Sequence, residues 1–97
     1  MGRKSEKTIL KERVKELNQV FADVSVDKMK VVAPLVERMA KMERYLVDLE
    51  HQVDEVGFVE RYQNGASQSG TKESTPSRLY STVMKNYNAL ARTILSL

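Results

Sequence analysis

The chain of 97 residues carries 16 Lys plus Arg against 13 Asp plus Glu, a single His and no Cys. That length suits one domain, and the composition excludes a disulfide framework, a thiol nucleophile, and zinc or other multi-His sites. The net +3 is unevenly spread: residues 1–30 sum to +3, residues 31–60 to −4 and residues 61–97 to +4, an asymmetry that suits an anionic partner at the ends or subunits pairing acidic middle to basic end.

No apolar run approaches the ~20 residues of a membrane span, and the opening Met1-Gly2-Arg3-Lys4 leads into no signal-peptide stretch. The expectation is a soluble, cytoplasmic protein with no membrane contact. From about residue 5 to 24, Leu10, Val14, Leu17, Phe21 and Val24 recur at helical spacing. Lys4, Lys7, Lys11 and Lys15 fall in a band roughly 80° wide beside that stripe. Such an edge serves either as a solvated flank whose stems cover apolar surface or as a phosphate-contacting arm.

A second helix is expected over about residues 27–56, with Asp27 as N-cap, Gly57 at C′ and Pro34 either kinking it or marking its true start. Val32, Leu35, Met39, Met42, Leu46, Leu49, Val53 and Val56 alternate at spacings of three and four, with Glu43 and Glu50 at e and Arg38 at g of the heptad. The pattern fits a core helix or a seam for self-association, the seam being Leu35, Met39, Met42, Leu46, Leu49 and Val53. A helix of that length spans about 45 Å and outruns a compact domain of this size. Asp48, Glu50, Asp54 and Glu55 make an acidic patch that, on one helix, reads as a solvated or docking face and not as a nuclease metal site. His51 falls at an outward position and is assigned no role.

Residues 57–76 turn polar. Phe58 to Tyr62 alternate briefly, Asn64-Gly65 suits a tight turn, and Gly70-Thr71-Lys72 can return as a partner strand, so the tip is a polar loop or a short β-hairpin. The last helix is expected from about residue 76 to 97, capped by Ser74 or Thr75 with Pro76 at N1. Tyr80, Val83, Tyr87, Leu90, Ile94 and Leu97 form its apolar stripe, while Arg78, Lys85 and Arg92, seven apart, share one face. The whole is a single, mainly α domain over residues 1–97: a helical hairpin around one long central helix, with the C-terminal helix packing back, in an oligomeric protein.

The run Tyr62-Gln63-Asn64-Gly65, then Gln68, Gly70, Lys72 and Ser74, then Tyr80, Met84, Lys85, Asn86 and Tyr87, resembles the signature of the small terminase subunits of tailed phages and prophages. The likeness covers about residues 56 to 90, and the Leu-Val-Glu-Arg-Met-Ala run at 35–40 is also similar. Pro76 stands one residue later than the family's proline. The resemblance implies a non-catalytic, cofactor-free homo-oligomer, a ring, working in the cytoplasm of the bacterial host. It also implies binding of double-stranded viral DNA at the packaging site and recruitment or regulation of the large terminase subunit with its ATPase and nuclease. The residues agree in one respect: no P-loop and no nucleophile-plus-base pairing is present. The DNA-contacting candidates are Lys4, Lys7, Lys11, Lys15, Arg78, Lys85 and Arg92, directed at phosphates. The alternative is a helical protein–protein adaptor that binds no DNA.

Overall fold

The computed structural model describes residues 5–63 and 69–97. Helix α1 (Glu6–Val20) is followed by α2 (Val26–Val56), strands β1 (Val59–Gln63) and β2 (Ser69–Glu73), and α3 (Thr75–Leu95). The mainly helical hairpin with a short β-hairpin between its two long arms is thus the architecture observed, and α3 packs back on α2.

Each helix starts where a serine side chain satisfies a free amide. Ser5 Oγ accepts from the Thr8 amide at 3.2 Å. Ser25 Oγ accepts from the Lys28 amide at 3.2 Å and its carbonyl takes the Met29 amide at 2.9 Å. Ser25, and not Asp27, is therefore the cap of α2. Asp27 instead lies in the first turn, where a carboxylate favours the positive end of the helix dipole. Helix α1 stops at Val20, earlier than the apolar repeat implied, because the Phe21 and Ala22 amides turn back to the Asn18 and Gln19 carbonyls. Phe21 and Val24 nevertheless stay half-buried.

Helix α2 runs unbroken through Pro34. The proline ring supplies no amide for the Lys30 carbonyl, yet Pro34 sits on the exposed side, where water can take that bond. At the far end Gly57 adopts φ +92°, the left-handed C′ conformation expected of it, and its amide closes on the Val53 carbonyl at 2.7 Å.

The chain groups into two compact units that share α2 and α3. The first holds residues up to Glu43 together with Tyr87–Leu97. Its core is Val32, Val36 and Ile94, against which Val14, Leu17, Phe21, Met29, Leu35, Met39 and Leu90 pack. The buried line on α2 here steps Val32, Val36, Ala40, drifting off the heptad because two helices, α1 and α3, must be faced at once.

The second unit, Arg44–Asn86, buries Leu46, Leu49 and Val53 on α2, all heptad positions. Its hairpin is antiparallel, Val59 opposite Glu73 through Gln63 opposite Ser69. The cross-strand partners Glu60 and Lys72 form a 3.6 Å ion pair. Ser74 is fully buried and fastens this unit. Its amide donates to the Phe58 carbonyl at 2.8 Å, and its hydroxyl donates to the Gly57 carbonyl at 2.7 Å while accepting from the Ser77 amide at 3.2 Å. One side chain thus ends α2 and begins α3. Thr75 accordingly takes N1 and Pro76 falls at N2, where the missing amide still costs no helical bond.

Candidate functional site

The lysine edge of α1 lies where the repeat put it. Lys7, Lys11 and Lys15 are exposed, and Lys4 lies outside the described residues. Lys7 and Lys11 also line an open groove of about 290 Å³ with Leu10, Val14, Glu37 and Lys41. Glu37 and Lys41 come from α2, and the sequence reading did not bring them to this place. Their spacing of four marks them as neighbours on one helix face, but no local pattern says that α1 lies alongside. The groove therefore has an apolar floor and a rim of three lysines and one carboxylate.

On α3, Arg78, Lys85 and Arg92 are exposed and make no ion pair among the described residues. Their 700° steps keep them within a band about 40° wide. They are unspent positive charges along one helix face. Phosphate oxygens are one chemistry such a row can meet.

Beside the groove, also within the first unit, a charged clasp joins all three helices. Arg13 of α1 reaches Glu43 of α2 with both prongs, Nε donating to Oε1 at 2.7 Å and Nη2 to Oε2 at 3.1 Å. Tyr87 of α3 donates its hydroxyl to the same Oε2 at 2.6 Å, and Arg13 Nη1 also reaches Glu16 at 3.1 Å. Burial raises the Glu43 carboxyl, but the hydrogen bonds from Arg13 and Tyr87 and the guanidinium charge outweigh it and hold the group below its usual value. The Tyr87 hydroxyl is pushed up to about 12 by burial and by the adjacent carboxylate.

An analogous pairing recurs seven residues away on each helix, in the second unit. There the Tyr80 hydroxyl donates to Glu50 at 3.3 Å, on the surface. Tyr80 and Tyr87 are thus half-buried residues whose hydroxyls are turned to carboxylates of α2.

The residues of the expected self-association seam differ in burial. Leu46, Leu49 and Val53 are buried within the chain, Leu35 and Met39 pack on the core of the first unit, and Met42 is half-buried. Val36 and Ala40, which the heptad reading passed over, are among the most buried residues of α2.

Of the loop signature, Tyr62 and Gln63 lie in β1, Gly70 and Lys72 in β2, and Ser74 at the cap described above. Asn64, Gly65 and Gln68 lie outside the described residues. Asp48, Glu50, Asp54, Glu55 and His51 are exposed on α2. No cluster suited to a metal ion occurs among the described residues, and no described helix is long and apolar enough to cross a membrane. Comparison with protein-family models, with curated proteins and with solved structures yields no match to this chain.

Proposed function

We propose that the chain is a non-catalytic terminase small subunit of a tailed phage or prophage. In this reading it is a DNA-binding homo-oligomer, a ring, that engages packaging-site DNA in the bacterial cytoplasm and recruits or regulates the large ATPase and nuclease subunit. The observation that carries it is the signature run from Tyr62 to Tyr87, several of whose positions are fastening points of the fold. Ser74 ties the end of α2 to the start of α3. Tyr80 and Tyr87 tie α3 to Glu50 and Glu43. A run of residues that resembles a family and also holds the α2–β–α3 frame together is better explained by descent than by coincidence.

The contacts with DNA are made to phosphates, by Lys7, Lys11 and Lys15 on α1 and by Arg78, Lys85 and Arg92 on α3. Long exposed side chains without ion-pair partners release counterions from DNA and read little sequence, so one subunit binds weakly and a ring multiplies the effect.

Titration of the full chain onto duplex DNA at several salt concentrations tests this. The expected plot of log affinity against log salt is linear with a slope of about −0.9 per phosphate contact, and replacing Arg78, Lys85 and Arg92 by Ala removes roughly three such contacts. Binding indifferent to salt, or none at low salt, ends the DNA reading. The apolar floor beneath Lys7 and Lys11 favours the second reading in that event, a helical adaptor for proteins only.

A further inference from the structure

The groove on the first unit has a property that DNA does not use. Its floor is Leu10 and Val14, and its rim is Lys7, Lys11, Lys41 and Glu37. A phosphate backbone offers nothing to cover an apolar floor, whereas an amphipathic helix offers both an apolar residue and carboxylates. None of the three lysines has an ion-pair partner among the described residues.

The second unit presents the complementary surface. Leu46, Leu49 and Val53 point α2 inward. Val47, Asp48, His51, Asp54 and Glu55 therefore fall on the opposite side, within a sector about 120° wide. Val47 is 50% exposed there, and the three carboxylates are exposed and lack an ion-pair partner among the described residues. Between Arg44 and Val56 this helix carries no basic side chain except His51.

We propose that the lysine-rimmed groove of one copy seats the acidic outer face of α2, residues 47–55, of a second copy, with Val47 against Leu10 and Val14 and the carboxylates among Lys7, Lys11 and Lys41. Groove and face are different surfaces, so the contact is heterologous and propagates from copy to copy into a closed ring or an open filament. It assigns the two charge excesses of the sequence to each other. In the assembly Lys7 and Lys11 are taken by the neighbouring copy, so the phosphate contacts proposed above fall there to Lys15 and the α3 row. The proposal deepens the assembly half of the proposed function and rests on it, but it does not need DNA binding.

Sedimentation of the full chain in low salt, without DNA, decides the matter. The native chain assembles. Lys11→Glu with Lys41→Glu, or Asp48→Lys with Glu55→Lys, weakens assembly by roughly a hundredfold, because like charges then meet across the contact. All four positions are exposed, so both variants keep their helical circular dichroism. Mixing the two variants restores the large species, since the native groove of one meets the native face of the other and the reversed groove meets the reversed face with opposite charges again. Paired alanine variants at the same positions, weakened about tenfold, provide the loss of assembly if a reversal unfolds the chain, and mixing them yields pairs, not the large species. A native chain that is monomeric at tens of micromolar overturns the assembly reading and this interface together. An assembled chain whose mass is unchanged by either reversal, or variants that stay apart when mixed, overturns this interface alone.

Discussion

The two units use α2 in different ways. In the first, α2 faces both α1 and α3, and its buried line advances by four residues at a time through Val32, Val36 and Ala40. Each such step rotates about 40° around the helix, so the line sweeps from one neighbour towards the other. In the second, the buried residues of α2 are the strict heptad ones, Leu46, Leu49 and Val53. The same contrast appears in the tyrosine–carboxylate pairs. Glu43 is half-buried and held by Arg13 as well as Tyr87, whereas Glu50 meets Tyr80 alone, on the surface. A heptad pattern thus locates a helix pair, but the packing of a third helix decides which of its residues are core.

Substitution in α2 tests this most strongly. Val36 is fully buried and Val31 is half exposed. Val36→Ala is expected to cost about 2.5 kcal/mol, the transfer of two methyl groups plus the cavity left among Val32, Ile94 and their neighbours. Val31→Ala, on the same helix and with the same atoms removed, is expected to stay within about 0.5 kcal/mol. Urea denaturation of both variants measures the difference, and equal costs would show that the core of the first unit is not where Val36 lies.

Ser74→Ala comes next. It deletes the cap of α3 and leaves the Gly57 carbonyl without its hydroxyl donor. A lost cap costs about 1 kcal/mol and a carbonyl stranded in a part-buried site about as much again, giving roughly 2 kcal/mol. Ser74→Thr keeps the oxygen and is expected to recover part of it if the extra methyl fits. Hydrogen exchange separates the units: protection should fall first in the hairpin and the opening turns of α3, with the α1 amides lagging behind.

Local chemistry was legible in the residues wherever one element settles it. The three helices and the glycine at the end of α2 follow from spacing and turn chemistry within a few positions, and the same chemistry narrowed the tip to a loop or a hairpin and the cap of α3 to Ser74 or Thr75. What was not legible depends on partners far along the chain. Arg13 and Glu43 are 30 residues apart, and nothing near either one announces the other. Glu37 and Lys41 read as ordinary exposed helix residues until α1 is laid beside them. Val36 and Ala40 lie off the heptad and become core only because α1 covers that flank. Even the choice of Ser25 over Asp27 as a cap turns on two residues of helix register, which no apolar spacing fixes.

The Glu43 clasp sets up the third prediction. Glu43→Gln removes the charge from both Arg13 prongs and is expected to cost about 1 kcal/mol, kept small because Arg13 is partly exposed and solvent screens the pair. Glu50→Gln breaks a lone surface hydrogen bond and is expected to leave the denaturation midpoint unmoved. Acid sharpens the contrast. A carboxyl held below its unfolded value contributes stability at pH values above the ordinary carboxylate range and loses it as pH falls through the folded value. The native chain should therefore lose stability in acid more steeply than Glu43→Gln does, while Glu50→Gln follows the native curve.

A further effect lies at the alkaline end and has the opposite sign. Tyr87 titrates near 12 in the folded chain, about two units above a free phenol. Between about pH 10 and 12 the folded state holds a proton that the unfolded state has released, so stability falls as pH rises through that window. Phenolate absorbance should consequently show one tyrosine ionising late, together with loss of helix, and Tyr87→Phe should abolish that late step. The Tyr80 hydroxyl is also raised, by burial and by Glu50, but it sits at the surface and has no third partner. Its ionisation is expected to leave the helical signal intact. A helix loss that instead followed Tyr80 and survived in Tyr87→Phe would place the tighter clasp in the second unit and reverse the ranking of the two pairs.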